Sequence, residues 1–369
     1  MKAVVLGVGR MGAAITWAAK ELGFDVVCAD INEDAYKSVL EALFGDEYEV
    51  DVYHIKDLEK DMVGIDVEFR PDVVISSLPY HQTEIAARYC IENGLRYCDL
   101  GGRVDVSHRI NKYAEEKATK PVMTDLGLAP GWVNILAEHG CRQLHRQVTS
   151  VKMMVGGLPT SKVNHPLDYI VTWSIDGLIN EYKDDCEVLE GGQIKIVKGM
   201  SHLETIDCGV LGELEAFCTS GGASHTLQSM KNKGVESCYY KTLRYEGHRD
   251  IVKFLIENQS EECVREVFEK GCKDTYDTGD VVLIKAFVDG EKVEWKEELA
   301  VFGGSDGFSA MQKATAFPIA AVANLMAEGY FDKGMDQHRD YWIPYPKSLS
   351  YEHVPYEMFS EKLKVLGLT

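Results

Sequence analysis

Six residues near the amino terminus, Gly7-Val8-Gly9-Arg10-Met11-Gly12, constrain the fold of this chain more than any other feature of it. They follow a short apolar run, Lys2–Leu6, and precede a stretch at 13–22 that places Ile15, Ala18, Ala19 and Leu22 on one helical face. A strand that passes through a glycine turn into a helix is the opening of a βαβ unit. A second apolar run at 25–29 ends in Asp30, 18 residues beyond Gly12, where such units place an acid for the ribose hydroxyls of a dinucleotide. The three glycines have separate duties. Gly7 permits the tight turn, Gly9 lets backbone approach a pyrophosphate, and Gly12 lets helix and strand pack closely. Together with Arg10, Met11 and Ile31 they form the expected cofactor contacts, the pyrophosphate lying on the helix N-terminus. Asp30 accepts hydrogen bonds from a free 2′-hydroxyl and repels a 2′-phosphate, and Ile31-Asn32-Glu33 supplies no arginine, so the expected cofactor is NAD.

The alternation continues. Strand-like segments at 48–52, 72–78, 96–100 and 121–125 alternate with helix-like segments at 55–62, 82–93 and 106–119, the pattern of a Rossmann-type, doubly wound parallel sheet. Ligands of such sheets bind at the carboxyl ends of the strands. The exits then become the candidate site: Asp51 and Val52 near the adenine, Leu78, Pro79 and Tyr80 beside the nicotinamide ribose, the stretch from Tyr97 to Gly101, and Asp125 to Asn134. Asp125-Leu-Gly-Leu-Ala-Pro-Gly-Trp-Val-Asn-Ile-Leu136 stands out, an acid followed by glycines around a proline and then a helix.

After about residue 145 the rhythm changes. Segments 148–155, 193–198 and 214–218 read as strands, 281–288 and 292–301 as a hairpin around Asp289-Gly290, and 248–258 and 261–270 as helices. This predicts an α+β domain over 146–303 with an open, mostly antiparallel sheet, beside an NAD-binding Rossmann domain over 1–145 completed by 304–369. A small-residue helix at 308–328 contains Pro318, expected to kink it or mark its start. The segment Tyr341-Trp-Ile-Pro-Tyr-Pro346 and a helix at 356–366 are expected to return to the nucleotide domain.

Length supports two domains, since 369 residues exceed what one hydrophobic core usually serves. A formal charge of −20 repels nucleic acid, and no apolar run approaches the roughly 20 residues a membrane span needs. Ten cysteines without a C-x-x-C pair read as small buried hydrophobes in a cytoplasmic protein, and no metal site is expected.

The first βαβ unit, the Asp125–Leu136 turn, Val155-Gly-Gly-Leu-Pro, Pro166-Leu-Asp-Tyr-Ile-Val-Thr-Trp-Ser-Ile-Asp-Gly-Leu-Ile-Asn-Glu-Tyr182 and Thr242-Leu-Arg-Tyr-Glu-Gly-His248 resemble the saccharopine dehydrogenase-like superfamily, and within it most closely the L-lysine 6-dehydrogenases. The resemblance implies a homodimer that oxidises the ε-amine of lysine, or of a close diamino acid, with NAD⁺, releasing ammonia. It makes Asp125 a candidate for orienting the amine or moving a proton, Arg244 a carboxylate clamp, His248 a proton relay, and Trp173 and Tyr97 walls of the substrate pocket. Tyr80, followed by His81, departs from lysine 6-dehydrogenases and is a further catalytic candidate. Ala129 stands where fungal saccharopine reductases carry an acid, which argues against saccharopine. Glu246 replaces a common proline and favours a cationic substrate. The alternatives are an opine-, saccharopine- or carboxynorspermidine-type reductase that joins an amine to a carbonyl, and a non-catalytic NAD-binding redox sensor.

Overall fold

The computed structural model describes residues 1–32, 50–144, 146–163, 167–273, 279–304, 307–332, 334–335, 342–343 and 346–368. Glu33, Tyr48, Pro166, Tyr341, Pro344 and Tyr345 therefore lie outside the described residues. The chain divides into two compact units, Met1–Trp132 with Gln312–Thr369, and Val133–Met311.

The first unit is built on six parallel strands: β1 Lys2–Leu6, β2 Asp25–Asp30, β3 Asp51–His54, β4 Val73–Ser76, β5 Tyr97–Asp99 and β6 Val122–Met123, in the order β3-β2-β1-β4-β5-β6. Order reverses between β1 and β4, the switch point at which doubly wound sheets open a crevice. Ala3, Val4, Val5 and Leu6 of β1 are fully buried, each valine or leucine contributing about 1.5–3 kcal/mol relative to exposure. Helices α1 Arg10–Glu21, α2 Leu58–Phe69, α3 Tyr80–Glu92 and α4 Val104–Lys117 supply the crossovers. The far end of the chain belongs to the same unit. The Val122 N–H donates to the Lys347 carbonyl and the Leu349 N–H to the Val122 carbonyl, both at 2.8 Å. Pro318 lies inside the helix Ala310–Ala327 and is not its start.

The second unit carries a mixed sheet whose main path runs β10 Glu204–Asp207, β11 Glu213–Cys218, β12 Ser237–Tyr245, β7 Val148–Pro159, β13 Asp280–Gly290 and β14 Val293–Phe302, with β8 Cys186–Glu190 and β9 Gln193–Val197 branching from β12. Among the described residues of this sheet β7 and β12 pair in parallel and the other pairs are antiparallel. Following α5 Trp132–Gln143, the helices of this unit include α6 Ile175–Lys183, α7 Thr226–Asn232, α8 His248–Asn258 and α9 Glu261–Gly271. Tyr169, Tyr182, Phe217 and Phe268 fill the core beneath them.

Two local expectations are corrected. Asp289 and Gly290 are not the hairpin turn: they stay in the ladder opposite Glu294 and Val293, and Glu291-Lys292 make the loop, Lys292 at φ 61°. Gly290 instead sits at a register shift against β7, where glycine tolerates a bulge. β3 begins at Asp51 rather than ending near it. Among the described residues no helix is long and apolar enough to cross a membrane.

Candidate functional site

In the first unit the glycine turn is held in place from three sides. Gly7 adopts φ 82°, and a Cβ there would stand 3.0 Å from the Ser77 carbonyl oxygen and 3.3 Å from Leu78 Cδ2, so the exit of β4 packs directly on the turn. A Cβ on Gly12 would collide with the Gly7 carbonyl oxygen. Asp30, at the end of β2, accepts the Val8 N–H on Oδ2 at 2.6 Å and the Asn32 N–H on Oδ1 at 2.9 Å, tying the loop to the neighbouring strand. Gly9 is the exception. It precedes α1 as an N-cap without a side-chain hydrogen bond, and a Cβ there would meet nothing within 4 Å. The N–H groups at the start of α1 thus face an open cradle of the kind that suits a pyrophosphate. Arg10 is exposed and Met11 half-buried at the same helix end, the Arg10 carbonyl accepting from Gln312 at 3.0 Å. Ile31, next to Asp30, is 72% exposed.

Pro79 caps α3, and Tyr80 opens it with 47% of its surface exposed, the Arg103 guanidinium lying 5.5 Å from its ring centre. Three expected residues do not belong here. Asp51 and Val52 pair with Val27 and Cys28 at the entry of β3, and the strand end level with Asp30 is His54, so they stand at the wrong end of a parallel sheet to meet an adenine. Tyr97 is fully buried in the hydrophobic core, its hydroxyl donating to the Thr83 carbonyl at 3.3 Å, so it does not wall a substrate pocket.

The exits of β5 and β6 bring two carboxyl groups together. Asp125 is buried at φ 62° and accepts the Ser107 hydroxyl on Oδ1 at 2.6 Å. Asp99, equally buried, accepts the N–H groups of Gly101 at 2.8 Å and Asp125 at 3.1 Å on Oδ1, and its Oδ2 has no partner among the described residues. Burial and the Asp125 charge push the Asp99 carboxyl up to about 7. Sequence reading included Asp99 in the Tyr97–Gly101 strand exit but gave it no role of its own.

In the second unit β12 presents Tyr240, Thr242 and Arg244 on one face, alternate residues of one strand. Arg244 is 3% exposed; its Nη1 donates to the Leu243 carbonyl at 2.8 Å and its Nε to the Tyr182 hydroxyl at 2.7 Å, while the guanidinium lies 4.7 Å from the Tyr169 ring centre. Nη2 has no partner among the described residues. His248, at the start of α8, is buried with both ring nitrogens engaged, Nδ1 with the Leu167 carbonyl at 2.8 Å and Nε2 with the Tyr182 hydroxyl at 3.0 Å. A carbonyl only accepts, so Nδ1 carries the proton, Nε2 accepts from Tyr182, and the Tyr182 oxygen accepts from Arg244. The structure thus places His248 beneath Arg244, in contact with it through Tyr182, with both ring nitrogens engaged by protein groups rather than open to a substrate as a relay requires. Burial holds the Tyr182 hydroxyl well above its ordinary value, with Arg244 opposing. Trp173 donates from Nε1 to Tyr169 at 3.2 Å and packs on Gly177 of α6. Glu246 is exposed. Glu215 lies opposite Arg244 in the β11–β12 ladder, and the acid whose charge acts on Arg244 is Glu181, a residue quoted only as part of a motif.

The comparisons with known proteins agree in order along the chain. Residues 3–124 match the model described as the saccharopine dehydrogenase NADP binding domain, and residues 127–352 the saccharopine dehydrogenase C-terminal domain. The chain is 23% identical over 192 residues to a saccharopine dehydrogenase [NADP(+), L-glutamate-forming] of Schizosaccharomyces pombe, spanning 50% of this chain and 42% of that protein. It is 29% identical over 140 residues to the mitochondrial alpha-aminoadipic semialdehyde synthase of Mus musculus, 37% of this chain and 15% of that one. The matches thus span less than half the length of these curated relatives. In fold the chain is similar to an apo saccharopine dehydrogenase (L-Glu forming) of Saccharomyces cerevisiae, with a TM-score of 0.72 at 16% identity, covering 100% of this chain and 98% of that one. With one model matched on each side of residue 125, the chain belongs to the saccharopine dehydrogenase family.

Proposed function

We propose that this protein is a nicotinamide-dependent oxidoreductase acting on the amine of an amino acid, and that its reaction is the NAD⁺-dependent oxidation of the ε-amine of L-lysine. The observation that carries this reading is Arg244, a buried guanidinium oriented by Tyr182 and left with Nη2 unpartnered among the described residues, an arrangement suited to a carboxylate. Glycines 7, 9 and 12 with the start of α1 would hold the pyrophosphate, and Asp30 the adenosine ribose. The family model is named for NADP, yet the Asp30 carboxylate favours the 2′-hydroxyl of NAD over a 2′-phosphate. Bound there, the nicotinamide supplies a two-electron hydride acceptor.

One lysine, one NAD⁺ and one water give the semialdehyde, NADH, an ammonium ion and a proton. The hydride leaves C6, the C–N bond becomes an imine, and water then displaces ammonia. For the chain this requires a site for the ammonium proton, the role proposed for Asp125, whose neighbour Asp99 keeps its own proton to near neutrality. Leu78, Pro79 and Tyr80 follow β4 at the switch point and are proposed beside the nicotinamide. In this reading Met1–Trp132 with Gln312–Thr369 is the nucleotide unit, Val133–Met311 the substrate and dimerisation unit, and the working form a cytoplasmic homodimer.

A second reading rests on the names of the relatives, a saccharopine-type reductase that condenses an amine with a carbonyl. Absorbance of NADH, followed at alkaline pH with lysine, ornithine and other amines, separates the readings. Formation of NADH with lysine alone supports oxidation. NADH consumption only when an amine and an oxo acid or semialdehyde are both present supports the reductase, and tight NADH binding without turnover on either supports a sensor.

A further inference from the structure

Glu181 and Tyr182, adjacent on α6, both reach the β12 face that carries Arg244, but for different partners. Tyr182 takes the Arg244 Nε. Glu181 accepts on Oε1 from the hydroxyls of Thr219 at 2.8 Å and Thr242 at 2.5 Å, and these two hydroxyls lie 2.7 Å apart. Its Oε2 has no partner among the described residues, and neither a lysine nor an arginine of the described residues pairs with it. The carboxylate is nevertheless within electrostatic reach of Arg244 and favours its charged form, while Arg244 stacks on the Tyr169 ring. The two side chains make no direct ion pair. A fixed half-buried anion and a fixed buried cation, each with one open atom, are thus held on the same strand face by separate supports.

We propose that Glu181 and Arg244 form a head-group site for an α-amino acid zwitterion, Arg244 Nη2 receiving the α-carboxylate and Glu181 Oε2 the α-ammonium. This deepens the function proposed above and rests on it for the identity of the far end of the substrate. The chemistry follows from complementarity. An ammonium beside a carboxylate satisfies both open atoms at once, whereas a carboxylate without the α-amine leaves Glu181 facing a second anion. Arg244 alone selects carboxylates; Glu181 selects α-amino acids among them.

The test is calorimetric titration of the full chain, in the presence of NADH, with L-lysine, 6-aminohexanoate, which lacks the α-amine, and several other L-amino acids, repeated on Glu181→Gln. Glutamine retains an oxygen for the Thr219 and Thr242 hydroxyls and removes only the charge. Thermal denaturation of the variant confirms that it folds. The natural chain is expected to bind its amino acid about 30-fold more tightly than the des-amino analogue, the worth of one charge-assisted hydrogen bond, and Glu181→Gln to reduce that ratio to about 3-fold or less without weakening 6-aminohexanoate. Equal weakening of both ligands, a ratio near one in the natural chain, or no binding of any amino acid overturns the proposal. If another amino acid shows the Glu181-dependent ratio and lysine does not bind, the head-group site stands and lysine is the wrong substrate. If lysine is oxidised and Glu181→Gln leaves the ratio unchanged, oxidation stands and the head-group site falls.

Discussion

The backbone N–H of Asp125 donates to Oδ1 of Asp99 at 3.1 Å, so the acid at the exit of β6 is held by the acid at the exit of β5. Both are buried, and the pair cannot be doubly charged without cost. Asp99 is raised from 3.8 to about 7 by burial and by the Asp125 charge. A carboxyl whose folded value is raised contributes stability that is fully present below its unfolded value and is lost as pH climbs through 7. The chain should therefore be less stable at pH 8 than at pH 5, with an upper bound on the order of 3 kcal/mol from this group. Asp99→Asn, which keeps an acceptor for the Gly101 and Asp125 N–H groups, should flatten that slope and stabilise the protein at pH 8. Urea unfolding at both pH values checks it; an unchanged slope refutes the buried proton.

Gly9 and Gly12 should respond oppositely to alanine. At Gly12 the new Cβ meets the Gly7 carbonyl, so Gly12→Ala is expected to lose roughly 2 kcal/mol or more of stability. At Gly9 the space is open, so Gly9→Ala should fold normally and bind NADH about tenfold or more weakly. Thermal denaturation beside an NADH fluorescence titration separates the two. Gly9→Ala binding NADH like the natural chain would remove the cradle from consideration.

Tyr182→Phe deletes the oxygen shared by Arg244 and His248 and strands a buried donor and a buried acceptor. The cost expected is about 1–3 kcal/mol. Because the loss loosens the carboxylate clamp rather than a proton carrier, KM for the amino acid should rise about tenfold with kcat little changed, and the pH profile should keep its shape. A lost basic limb in that profile would instead restore His248 as a relay.

Asp30→Ala should weaken NAD and narrow the preference against NADP, while costing about 1 kcal/mol through the lost Val8 hydrogen bond. Parallel kinetics with both cofactors read this directly, and unchanged cofactor preference contradicts the ribose role.

Much of the first unit was legible in the chain because its signals are local. Lys2–Leu6, the glycine turn and Asp30 lie within one βαβ unit, and their spacing alone dictates a parallel strand pair around a helix. The helix His248–Asn258 was equally legible, an amphipathic stretch beginning just after a glycine at φ 90°. Asp51 and Val52 misled because a four-residue strand of mixed polarity carries little periodicity, and its register is set by β2. Tyr97 misled because a tyrosine near a strand exit looks alike in sequence whether its hydroxyl faces a ligand or the Thr83 carbonyl.

The sequence by itself determined the class of fold and the glycine turn with Asp30 at the end of the next strand, since each depends on residue type and short spacing, while Arg244 as the cation to watch came from the resemblance to a family. Only the tertiary structure decided what surrounds them. Asp99 reaches Asp125 across 26 residues, Tyr182 reaches Arg244 across 62, and Glu181 reaches Thr242 across 61. Charge, protonation and orientation at a site are set by atoms a few ångströms away in space, and strand order and helix placement choose which distant residues those are.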